Sequence, residues 1–383
     1  MKKIRILSVF GTRPEAVKMC PLALELLRRP EFESLVCVTA QHREMLDGVL
    51  AAFGVRPDYD LDIMEAVQTP SSVTRRVLEK LAPILTEVAP DAVLVHGDTT
   101  TTFAAALAAF YQKIPVGHVE AGLRTYDLYS PFPEEMNRAM VGRIAAWNFA
   151  PTARNRENLI KEAAPGRIFV TGNTVIDAMK YTVSDAPFDN AALNAVDFSK
   201  KVIAMTCHRR ENYGEPMRNI FSAVKDLSRA FPEMTVVYPV HPAPAVRETA
   251  QSVLGDVGNV LLTEPLGAVD MHKLMARSYL VLTDSGGLQE EAPALGKPVL
   301  VLRRETERPE AVEAGTAALA GTERETIFRM VSALFTENAK YEAMARAVNP
   351  YGDGKACARI ADALAHGFGL RKTPPEEFTA PGI

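Results

Sequence analysis

The sequence lacks the marks of membrane proteins and of nucleic-acid-binding proteins. No apolar run approaches the length needed to span a bilayer, and only seven residues, Ile4–Phe10, separate Met1–Lys3 from Gly11. The formal net charge is −4, which excludes a broad basic surface for nucleic acid or anionic lipid. We therefore expect a cytoplasmic protein that binds neither nucleic acid nor membranes, in which each basic cluster serves a local anion.

Closely spaced cysteines are also lacking. The four cysteines lie far apart and form no Cys-X-X-Cys pair, which argues against a zinc site or a redox pair and predicts buried thiols. The segment Gly11–Glu15 lacks the G-x-G-x-x-G spacing of a dinucleotide site, so a nicotinamide cofactor is not indicated. We predict that the protein uses no cofactor.

What the sequence has is a regular alternation of strands and helices. Its 383 residues are too many for one ordinary core, and apolar runs of strand length alternate with helical patterns in both halves. The predicted fold class is α/β, with two Rossmann-like domains facing a central cleft. The predicted strands are Ile4–Phe10, Leu35–Val38, Ala92–Val95, Ile114–Val119, Val202–Met205, Thr235–Val240, Val260–Leu262, Tyr279–Leu282 and Val299–Leu302. The predicted helices include Pro14–Arg28, Thr74–Val88, Thr99–Tyr111 and Lys355–His366.

The domain boundaries follow from the same pattern. We predict an N-terminal domain over residues 1–175, joined by a C-terminal helix at 355–370, and a C-terminal domain over residues 176–354. The weakly patterned stretch Tyr181–Ser199 is interpreted as the interdomain region. Residues 371–383 are interpreted as a flexible tail.

The segment 283–298 lies between two apolar runs and has the pattern of a strand, a tight polar turn and a short helix. Asp284 and Ser285 offer oxygens that could cap this helix, and the two glycines that follow leave room for an anion at its first N–H groups. Glu291, one turn later, suits a ribose hydroxyl, and Pro293 predicts that the helix is short or kinked. The alternative is a glycine-rich turn with a solvated acidic face.

Charged residues divide into two sets that suggest a nucleoside diphosphate sugar. Cations suit the diphosphate, and carboxylates suit sugar hydroxyls or proton transfer. We expect the nucleotide on the second domain and the sugar facing the first. The cations expected on one side of the cleft are Arg13, Lys18, His208, Arg209, Arg210, His241 and Arg308. The carboxylates expected on the other side are Asp98, Glu120, Glu134 and Glu135.

Each of these carboxylates also has a plainer interpretation. Asp98 precedes four threonines and could cap the following helix, and Glu134 and Glu135 begin a helix where negative charge is favourable. Two metal hypotheses are weaker still. The D-x-D spacing in Asp58–Asp62 is better explained as a solvated loop, and the nitrogens of His96 and His118 could equally support neighbouring backbone. We predict no metal.

Taken with their order along the chain, the motifs resemble those of the non-hydrolysing UDP-N-acetylglucosamine 2-epimerases. The resemblance covers nearly the whole chain. It implies a glycosyltransferase-B-like fold, a homodimer, and interconversion of UDP-GlcNAc and UDP-ManNAc without metal or nicotinamide. The motifs that carry it are Gly11–Pro21, His96–Thr100, His118–Arg124, Pro133–Arg138, His208–Asn212, Thr283–Pro298 and Thr306–Glu310.

The resemblance also implies roles for individual residues. Met271 departs from the family, in which this uracil-flanking position is commonly aromatic. The implied catalytic residues are Asp98, Glu120, Glu134 and His208. The implied substrate contacts are Arg13, Lys18, Asp98, Glu120, His208, Leu266, Met271, Ser285, Gly286, Gly287, Glu291 and Arg308. Gln41, Arg209 and His241 are candidate contacts for a second, activating UDP-GlcNAc.

The chemistry of the sugar predicts a mechanism. The C2 proton of a GlcNAc unit is not adjacent to a carbonyl, so we expect UDP to leave C1 first, giving 2-acetamidoglucal, and then to re-add with the proton on the opposite face. The product would supply ManNAc-type precursors for surface polysaccharide. Three alternatives remain: a 2-epimerase of a modified UDP-sugar, a retaining glycosyltransferase of the same fold and, ranked last, a non-catalytic sensor of UDP-sugars.

Overall fold

The computed structural model describes residues 3–40, 43–65 and 68–380. Contacts within the chain divide it into two compact units. The first comprises the residues up to Tyr181 together with Tyr351–Thr379, and the second consists chiefly of Thr182–Pro350. The chain thus passes from the first unit to the second a few residues later than the sequence pattern predicts.

The first unit is built on a parallel sheet. In the described residues this sheet has seven strands in the order β3-β2-β1-β4-β5-β6-β7. The strands are β1 (Ile4–Phe10), β2 (Phe32–Val38), β3 (Tyr59–Asp60), β4 (Ala92–His96), β5 (Val116–Val119), β6 (Trp147–Ala150) and β7 (Arg167–Val170). The helices that follow these strands in turn are α1 (Arg13–Arg28), α2 (Arg43–Phe53), α3 (Pro70–Val88), α4 (Thr100–Tyr111), α5 (Glu134–Ile144), α6 (Ala153–Lys161) and α7 (Thr174–Thr182).

The second unit repeats this design. Its described strands form a six-stranded parallel sheet in the order β10-β9-β8-β11-β12-β13. The strands are β8 (Val202–Thr206), β9 (Thr235–Pro239), β10 (Val260–Thr263), β11 (Leu280–Thr283), β12 (Val299–Val301) and β13 (Ala317–Leu319). The helices are α8 (Glu215–Ala230), α9 (Pro244–Leu254), α10 (Ala268–Arg277), α11 (Gly286–Ala294), α12 (Pro309–Glu313), α13 (Arg324–Thr336) and α14 (Asn338–Ala345). Short 3-10 helices span Ala191–Ala195 and Arg210–Asn212.

The apolar runs form the cores because parallel strands are covered by helices on both faces. Every residue of β4, β8 and β11 is buried. The amphipathic helix α3 begins at Pro70, four residues before its predicted start, because Thr69 accepts a hydrogen bond from the backbone N–H of Ser72 and caps it. Its buried face includes Val77, Leu81 and Leu85.

The last helix, α15 (Ala356–Gly367), belongs to the first unit, where it packs against α1. The Asp177 carboxylate accepts hydrogen bonds from the backbone N–H groups of Ala356 and Cys357, at 3.1 and 3.2 Å, at the first turn of this helix. Such a carboxylate satisfies N–H groups that a helix start leaves without intrahelical partners.

The prediction of a flexible tail is wrong over residues 376–378, because Val170 of β7 donates to Glu377 and accepts a hydrogen bond from the N–H of Phe378. The stretch Tyr181–Ser199, interpreted as the interdomain region, does contain the point where the chain passes between the units. Residues 182–199 belong to the second unit, where the buried Asp270 accepts hydrogen bonds from two of their N–H groups.

Strands β3, β6, β7 and β13 were not predicted, and their sequences explain why. Strand β6 carries a buried polar residue, Asn148, that interrupts its apolar run, and β7 begins with the exposed Arg167. Strands β3 and β13 have two and three residues. Short or interrupted runs carry too little periodic signal to be recognised as strands.

Candidate active site

The polar residues of the first unit gather at the carboxyl ends of its central strands. Arg13 begins α1 just after β1, Asp98 follows β4, and Glu120 directly follows β5. These three strands are neighbours in the sheet, so their ends open at one edge. This is the edge at which ligands bind to open α/β sheets.

Glu120 is held by several polar groups. Its Oε2 atom is ion-paired with Lys18 Nζ, accepts a hydrogen bond from Asn173 Nδ2 at 2.8 Å, and lies 3.8 Å from His96 Nε2. The backbone at Glu120 has a φ of 61°, in the left-handed region that side chains other than glycine rarely adopt. Such strain persists only where the surroundings fix a residue, as these contacts do here.

The carboxyl group of Asp98 has a pKa closer to neutral pH than an ordinary aspartate. Its Oδ2 atom lies 3.3 Å from Arg138 Nη1, and its side chain is 29% exposed. Burial raises the pKa of Asp98 to about 6, and the charges of Glu120 and Glu134 add to the rise, while Arg138 and Lys18 oppose it. A group with this pKa can give or take a proton near neutral pH.

The capping interpretation of Asp98 is wrong. Thr99 is the N-cap of α4, since its hydroxyl accepts a hydrogen bond from the N–H of Thr102 at 3.1 Å. The Asp98 backbone carbonyl accepts a hydrogen bond from Asn137 Nδ2 at 2.9 Å, which ties this turn to α5.

The two glutamates that begin α5 do different things. Glu135 is 2% exposed, and its carboxylate accepts hydrogen bonds from the backbone N–H groups of Thr125 and Tyr126 at 3.0 and 2.9 Å. Burial acts to raise the pKa of Glu135, but these bonds and the Arg138 guanidinium outweigh it and lower the pKa. Glu135 is therefore structural, whereas the partly exposed Glu134 faces the charge of Asp98.

The two histidines beside these carboxylates are buried and neutral. Burial lowers the pKa of His96 to about 3 and that of His118 to about 4. His118 Nε2 donates to the Gly97 carbonyl oxygen at 2.7 Å, so this nitrogen supports neighbouring backbone. Within the described ranges, no group of three or more His, Cys, Asp or Glu side chains could hold a metal ion. At the other proposed metal site, Asp58 accepts a hydrogen bond from the Val36 N–H.

The predicted separation of cations from carboxylates is wrong for Arg13 and Lys18. Both lie in the first unit, and Lys18 is the ion-pair partner of Glu120. Helix α1 begins within the segment Gly11–Glu15 and carries Lys18 one turn after Glu15, so this helix brings a cation to Glu120.

Sequence reasoning missed Glu15 as an organiser of the site. This buried carboxylate accepts hydrogen bonds from the N–H groups of Gly11 and Thr12 at 2.9 and 2.7 Å, and from the hydroxyls of Thr99 and Thr102 at 2.7 and 3.0 Å. It thereby joins the loop after β1 to the start of α4. Asn173 and Arg138 were missed as well, although both lie in polar motifs that follow strands or begin a helix.

In the second unit, the turn after β11 forms the start of α11. Ser285 is the N-cap, but among the described residues its side chain makes no capping hydrogen bond. Gly286 and Gly287 open the helix, and a Cβ atom on Gly286 would lie 3.9 Å from the Arg308 guanidinium. Uncapped N–H groups, missing side chains and a nearby guanidinium are the parts of an anion site.

The segments around this turn are fixed by buried polar side chains. Gln289 donates to the Ser285 carbonyl at 3.1 Å and accepts a hydrogen bond from the Thr306 hydroxyl at 2.6 Å. That hydroxyl accepts from the N–H of Arg308 at 3.0 Å, and the Arg308 guanidinium is ion-paired with the buried Glu290. The arginine is thus positioned before any ligand binds.

Glu291 and Pro293 lie where the sequence pattern places them. Glu291 Oε2 is 3.3 Å from His272 Nε2, and the other nitrogen of this imidazole lies 2.8 Å from the Thr182 hydroxyl. Helix α11 ends at Ala294, one residue after Pro293, and has nine residues. The prediction of a short helix is confirmed. Leu266 is 7% exposed before α10, and Met271 is partly buried within that helix.

His208 follows β8 and lies beside Asp284. The prediction that Asp284 caps α11 is wrong, because its Oδ2 atom accepts hydrogen bonds from the N–H groups of His208 and Arg209 at 2.7 and 2.8 Å. The His241 ring stacks on that of His208, with 5.4 Å between centroids and 10° between planes. Gln41, the third candidate for a second nucleotide site, lies outside the described residues.

A family model described as UDP-N-acetylglucosamine 2-epimerase matches residues 24–365 of this chain. The chain belongs to the UDP-N-acetylglucosamine 2-epimerase family. The resemblance inferred from the motifs and the enzyme class that it implies, an epimerase, are both confirmed.

Individual relatives agree with this assignment of the epimerase family. The chain is 54% identical over 380 residues to the UDP-N-acetylglucosamine 2-epimerase of Bacillus subtilis, with 99% of this chain and 100% of that protein covered. It is 54% identical over 369 residues to the enzyme of that name from Escherichia coli K12, with 94% and 98% covered. The crystal structure of the Neisseria meningitidis UDP-GlcNAc 2-epimerase bound to UDP-GlcNAc matches with a TM-score of 0.86 at 49% identity, over 95% of this chain and 100% of that one.

The predicted fold class is also confirmed for this member of the epimerase family. Both units have parallel sheets with alternating helices, and the matched epimerase structures have a glycosyltransferase-B-like architecture. In the part of the chain that the structure describes, no helix is both long and apolar enough to cross a bilayer.

Proposed function

We propose that this chain interconverts UDP-GlcNAc and UDP-ManNAc by eliminating UDP to form 2-acetamidoglucal and then adding it back. Family membership supports the substrate, and the matched Neisseria meningitidis structure contains UDP-GlcNAc. The observation that carries the mechanism is the raised pKa of Asp98, about 6, in a cluster with Glu120 and Glu134. Epimerisation must remove a proton on one face of C2 and deliver one on the other, which requires groups that change protonation state near neutral pH.

The order of the steps follows from acidity. The C2 hydrogen of an N-acetylglucosamine unit has no carbonyl beside it, so a carboxylate cannot abstract it from the intact sugar. When the C1–O bond to the diphosphate breaks, positive charge develops at C1 and the ring oxygen, and the C2 proton becomes acidic. Loss of that proton leaves the C1–C2 double bond of the glycal, and re-addition of UDP at C1 with protonation at C2 reverses the sequence.

The first unit supplies the groups for the sugar. Asp98 and Glu134 are the groups that we assign to proton transfer at C2. Glu120, fixed by Lys18 and Asn173, is placed to bind the sugar or to stabilise charge at the ring. Arg13, at the first position of α1, is assigned to the leaving diphosphate.

The second unit supplies the groups for the nucleotide. The start of α11 at Ser285–Gly287 and the guanidinium of Arg308 would hold the diphosphate and stabilise its charge as it leaves. Glu291 would accept hydrogen bonds from ribose hydroxyls. His208 is assigned to the departing phosphate.

The uracil contacts come from the segment that joins β10 to α10 and from the first turn of α10. Leu266 and Met271 are the residues that we propose to flank the base. A thioether can cover one face of uracil, but it cannot stack as an aromatic ring would. We therefore expect these residues to contribute packing, with the diphosphate contacts supplying most of the affinity.

Incubation with UDP-GlcNAc alone in D₂O tests the reaction and its mechanism together. We expect proton NMR to show UDP-ManNAc appearing without any acceptor, with deuterium at C2 of the product and, with time, of the substrate. UDP-ManNAc that retains hydrogen at C2 would overturn the elimination mechanism. Turnover only after an acceptor is added would indicate a retaining glycosyltransferase, and binding without turnover would indicate a sensor. Conversion of a modified UDP-sugar, with no conversion of UDP-GlcNAc, would indicate a 2-epimerase of that modified sugar.

We further propose that the enzyme acts as a homodimer and supplies ManNAc-type precursors for surface polysaccharide. Light scattering during size-exclusion chromatography would give twice the mass of one chain, and a single-chain mass would contradict the dimer. Deletion of the gene should remove ManNAc-type sugars from the cell surface, and an unchanged surface composition would contradict the pathway role.

We also propose that Arg209 and His241 contact a second UDP-GlcNAc that activates the enzyme. The rate should then rise more steeply than hyperbolically with UDP-GlcNAc, and His241→Ala should make the dependence hyperbolic. A hyperbolic dependence in the unsubstituted enzyme would contradict the proposal.

A further inference from the structure

Asp284 is a fully buried carboxylate at the carboxyl end of β11. Its Oδ2 atom accepts three hydrogen bonds, from the N–H groups of His208 and Arg209 at 2.7 and 2.8 Å and from Asn212 Nδ2 at 3.1 Å. One oxygen therefore holds the backbone that carries His208 in place relative to the sheet.

The other oxygen faces the imidazole of the same histidine. Asp284 Oδ1 lies 3.3 Å from His208 Nδ1, and it has no hydrogen-bond partner within residues 3–40, 43–65 and 68–380. Burying a charged oxygen without a partner is unfavourable. The His208 imidazole lies within ion-pair distance of this oxygen, so its Nδ1–H is a group that can supply the missing hydrogen bond.

We propose that Asp284 is a positioning residue for His208: it accepts a hydrogen bond from Nδ1–H and so orients Nε2 toward the departing diphosphate, to which Nε2–H donates when the imidazole is protonated. This inference rests on the proposed function, because it takes His208 to act in the reaction. A carboxylate that fixes the tautomer and orientation of a histidine is a recurrent device in enzymes.

The other groups around His208 do not perform this task. His241 stacks on the ring, and Arg209 adds a positive charge beside it. The Cys207 thiol is buried and stays protonated, because burial, the Asp284 charge and a hydrogen bond with that carboxylate all raise its pKa. Burial lowers the pKa of His208, the Asp284 carboxylate opposes this, and His241 and Arg209 lower the pKa further. Removing the Asp284 carboxylate should therefore lower the pKa of His208 further.

Asp270 provides a matched control in the same unit. It is 3% exposed, and its carboxylate accepts hydrogen bonds from the N–H groups of Asp189 and Asn190 at 3.1 and 2.8 Å. Lys273 Nζ lies 3.6 Å from Asp270 Oδ1. Asp270→Asn thus perturbs a buried carboxylate that binds two successive N–H groups, as Asp284 does, without touching His208.

The test is Asp284→Asn, compared with Asp270→Asn in the full chain. We expect Asp284→Asn to lower kcat about 10- to 100-fold with little change in KM, and to shift the titration of His208 to lower pH. Asp270→Asn should leave both the His208 titration and kcat unchanged. An unchanged titration and kcat in Asp284→Asn would overturn the inference, as would equal shifts in the two variants.

Nitrogen-15 NMR of the unsubstituted enzyme without substrate gives a second measurement that does not depend on folding of a variant. We expect His208 to carry its proton on Nδ1 when neutral, and protonation on Nε2 would overturn the inference. Failure of the proposed function would appear separately, as absence of UDP-ManNAc in the assay of the unsubstituted enzyme, whatever the tautomer of His208.

Discussion

The two units carry different groups at the same place in the same topology. In each sheet the fourth strand of the unit pairs with the first, β4 with β1 and β11 with β8. Each of these strands ends in a turn that starts a helix. The turn after β4 carries Asp98 and begins α4, whereas the turn after β11 carries Gly286 and begins α11.

The difference between the two turns lies in whether side chains cap the helices α4 and α11. At α4 the Thr99 hydroxyl accepts a hydrogen bond from the Thr102 N–H and donates to the buried Glu15, so side chains already occupy that end. At α11 the described residues provide no side-chain cap, and two glycines follow Ser285. The topology thus sets where a ligand can bind, while capping decides whether the backbone N–H groups remain available to an anion.

We expect the largest effect from removing a proposed proton-transfer group of the first unit. Asp98→Asn removes the carboxyl group whose pKa of about 6 suits it to proton transfer, so we expect kcat to fall about 10²- to 10⁴-fold. UDP affinity, measured by calorimetry, should change little because the nucleotide is assigned to the second unit. Asp91→Asn is the control, since Asp91 lies at the other end of the same strand and accepts a hydrogen bond from the Arg5 N–H. Equal losses in both variants would contradict the assignment.

We expect the next largest effect, on UDP binding, from disrupting the proposed anion site of the second unit. Arg308→Ala removes the guanidinium beside Gly286, and a charge-assisted hydrogen bond contributes about 1.5–3 kcal/mol, so the Kd for UDP should rise about 10- to 100-fold. Arg304→Ala is the control, because the Arg304 side chain is 78% exposed and 3.4 Å from Glu323. Unaltered UDP binding in Arg308→Ala would remove this residue from the site.

A smaller effect concerns stability and pH. Asp98 has a folded-state pKa of about 6, above its ordinary value of 3.8, so the folded state binds the proton more tightly than the unfolded state. The contribution of Asp98 to stability should therefore fall as pH rises from about 4 to about 6. In Asp98→Asn this loss disappears, and the variant should gain on the order of 1–3 kcal/mol relative to the unsubstituted protein between pH 4 and pH 7.5. Urea unfolding at both pH values measures the gain, and a pH-independent difference would refute the raised pKa.

We expect the smallest effects from substitutions at the N-cap positions of α4 and α11, which compare the two helices directly. Thr99→Ala removes a cap and should lower the free energy of unfolding by about 1–2 kcal/mol without changing UDP affinity. Ser285→Ala removes no cap and should change the free energy of unfolding by less than about 0.5 kcal/mol, while the Kd for UDP rises about 3- to 10-fold. Thermal denaturation and calorimetry give the two quantities. The opposite pattern would mean that α11 is the capped helix and α4 the open one.

The apolar runs and the strand ends could be predicted from sequence because both are local patterns. The runs that became β1, β4, β8 and β11 are buried along nearly their whole length, and polar motifs directly follow them. The carboxylates assigned by resemblance, Asp98, Glu120 and Glu134, do lie in one unit at the ends of adjacent elements.

The supporting contacts could not be predicted because they join distant parts of the chain. Asp284 was expected to cap the helix that follows it, but its hydrogen bonds go to residues 75 and 76 positions earlier. The sequence pattern groups Lys18 with the phosphate-binding cations, yet its partner is Glu120, 102 positions away. Local spacing shows which residue types are present, whereas the choice of partner depends on how the strands are ordered in the sheet.

The place of α15 in the first unit bears on how the chain is made. Ribosomes release residues 182–350 before α15 emerges, so the second unit can finish folding while the first still lacks its last helix. Until residues 356 and 357 appear, Asp177 has no access to the two N–H groups that it binds in the finished fold. The unit that begins first is thus completed last, and a nascent chain that stalls just after residue 350 has left the ribosome would carry a complete second unit and a first unit without its last helix.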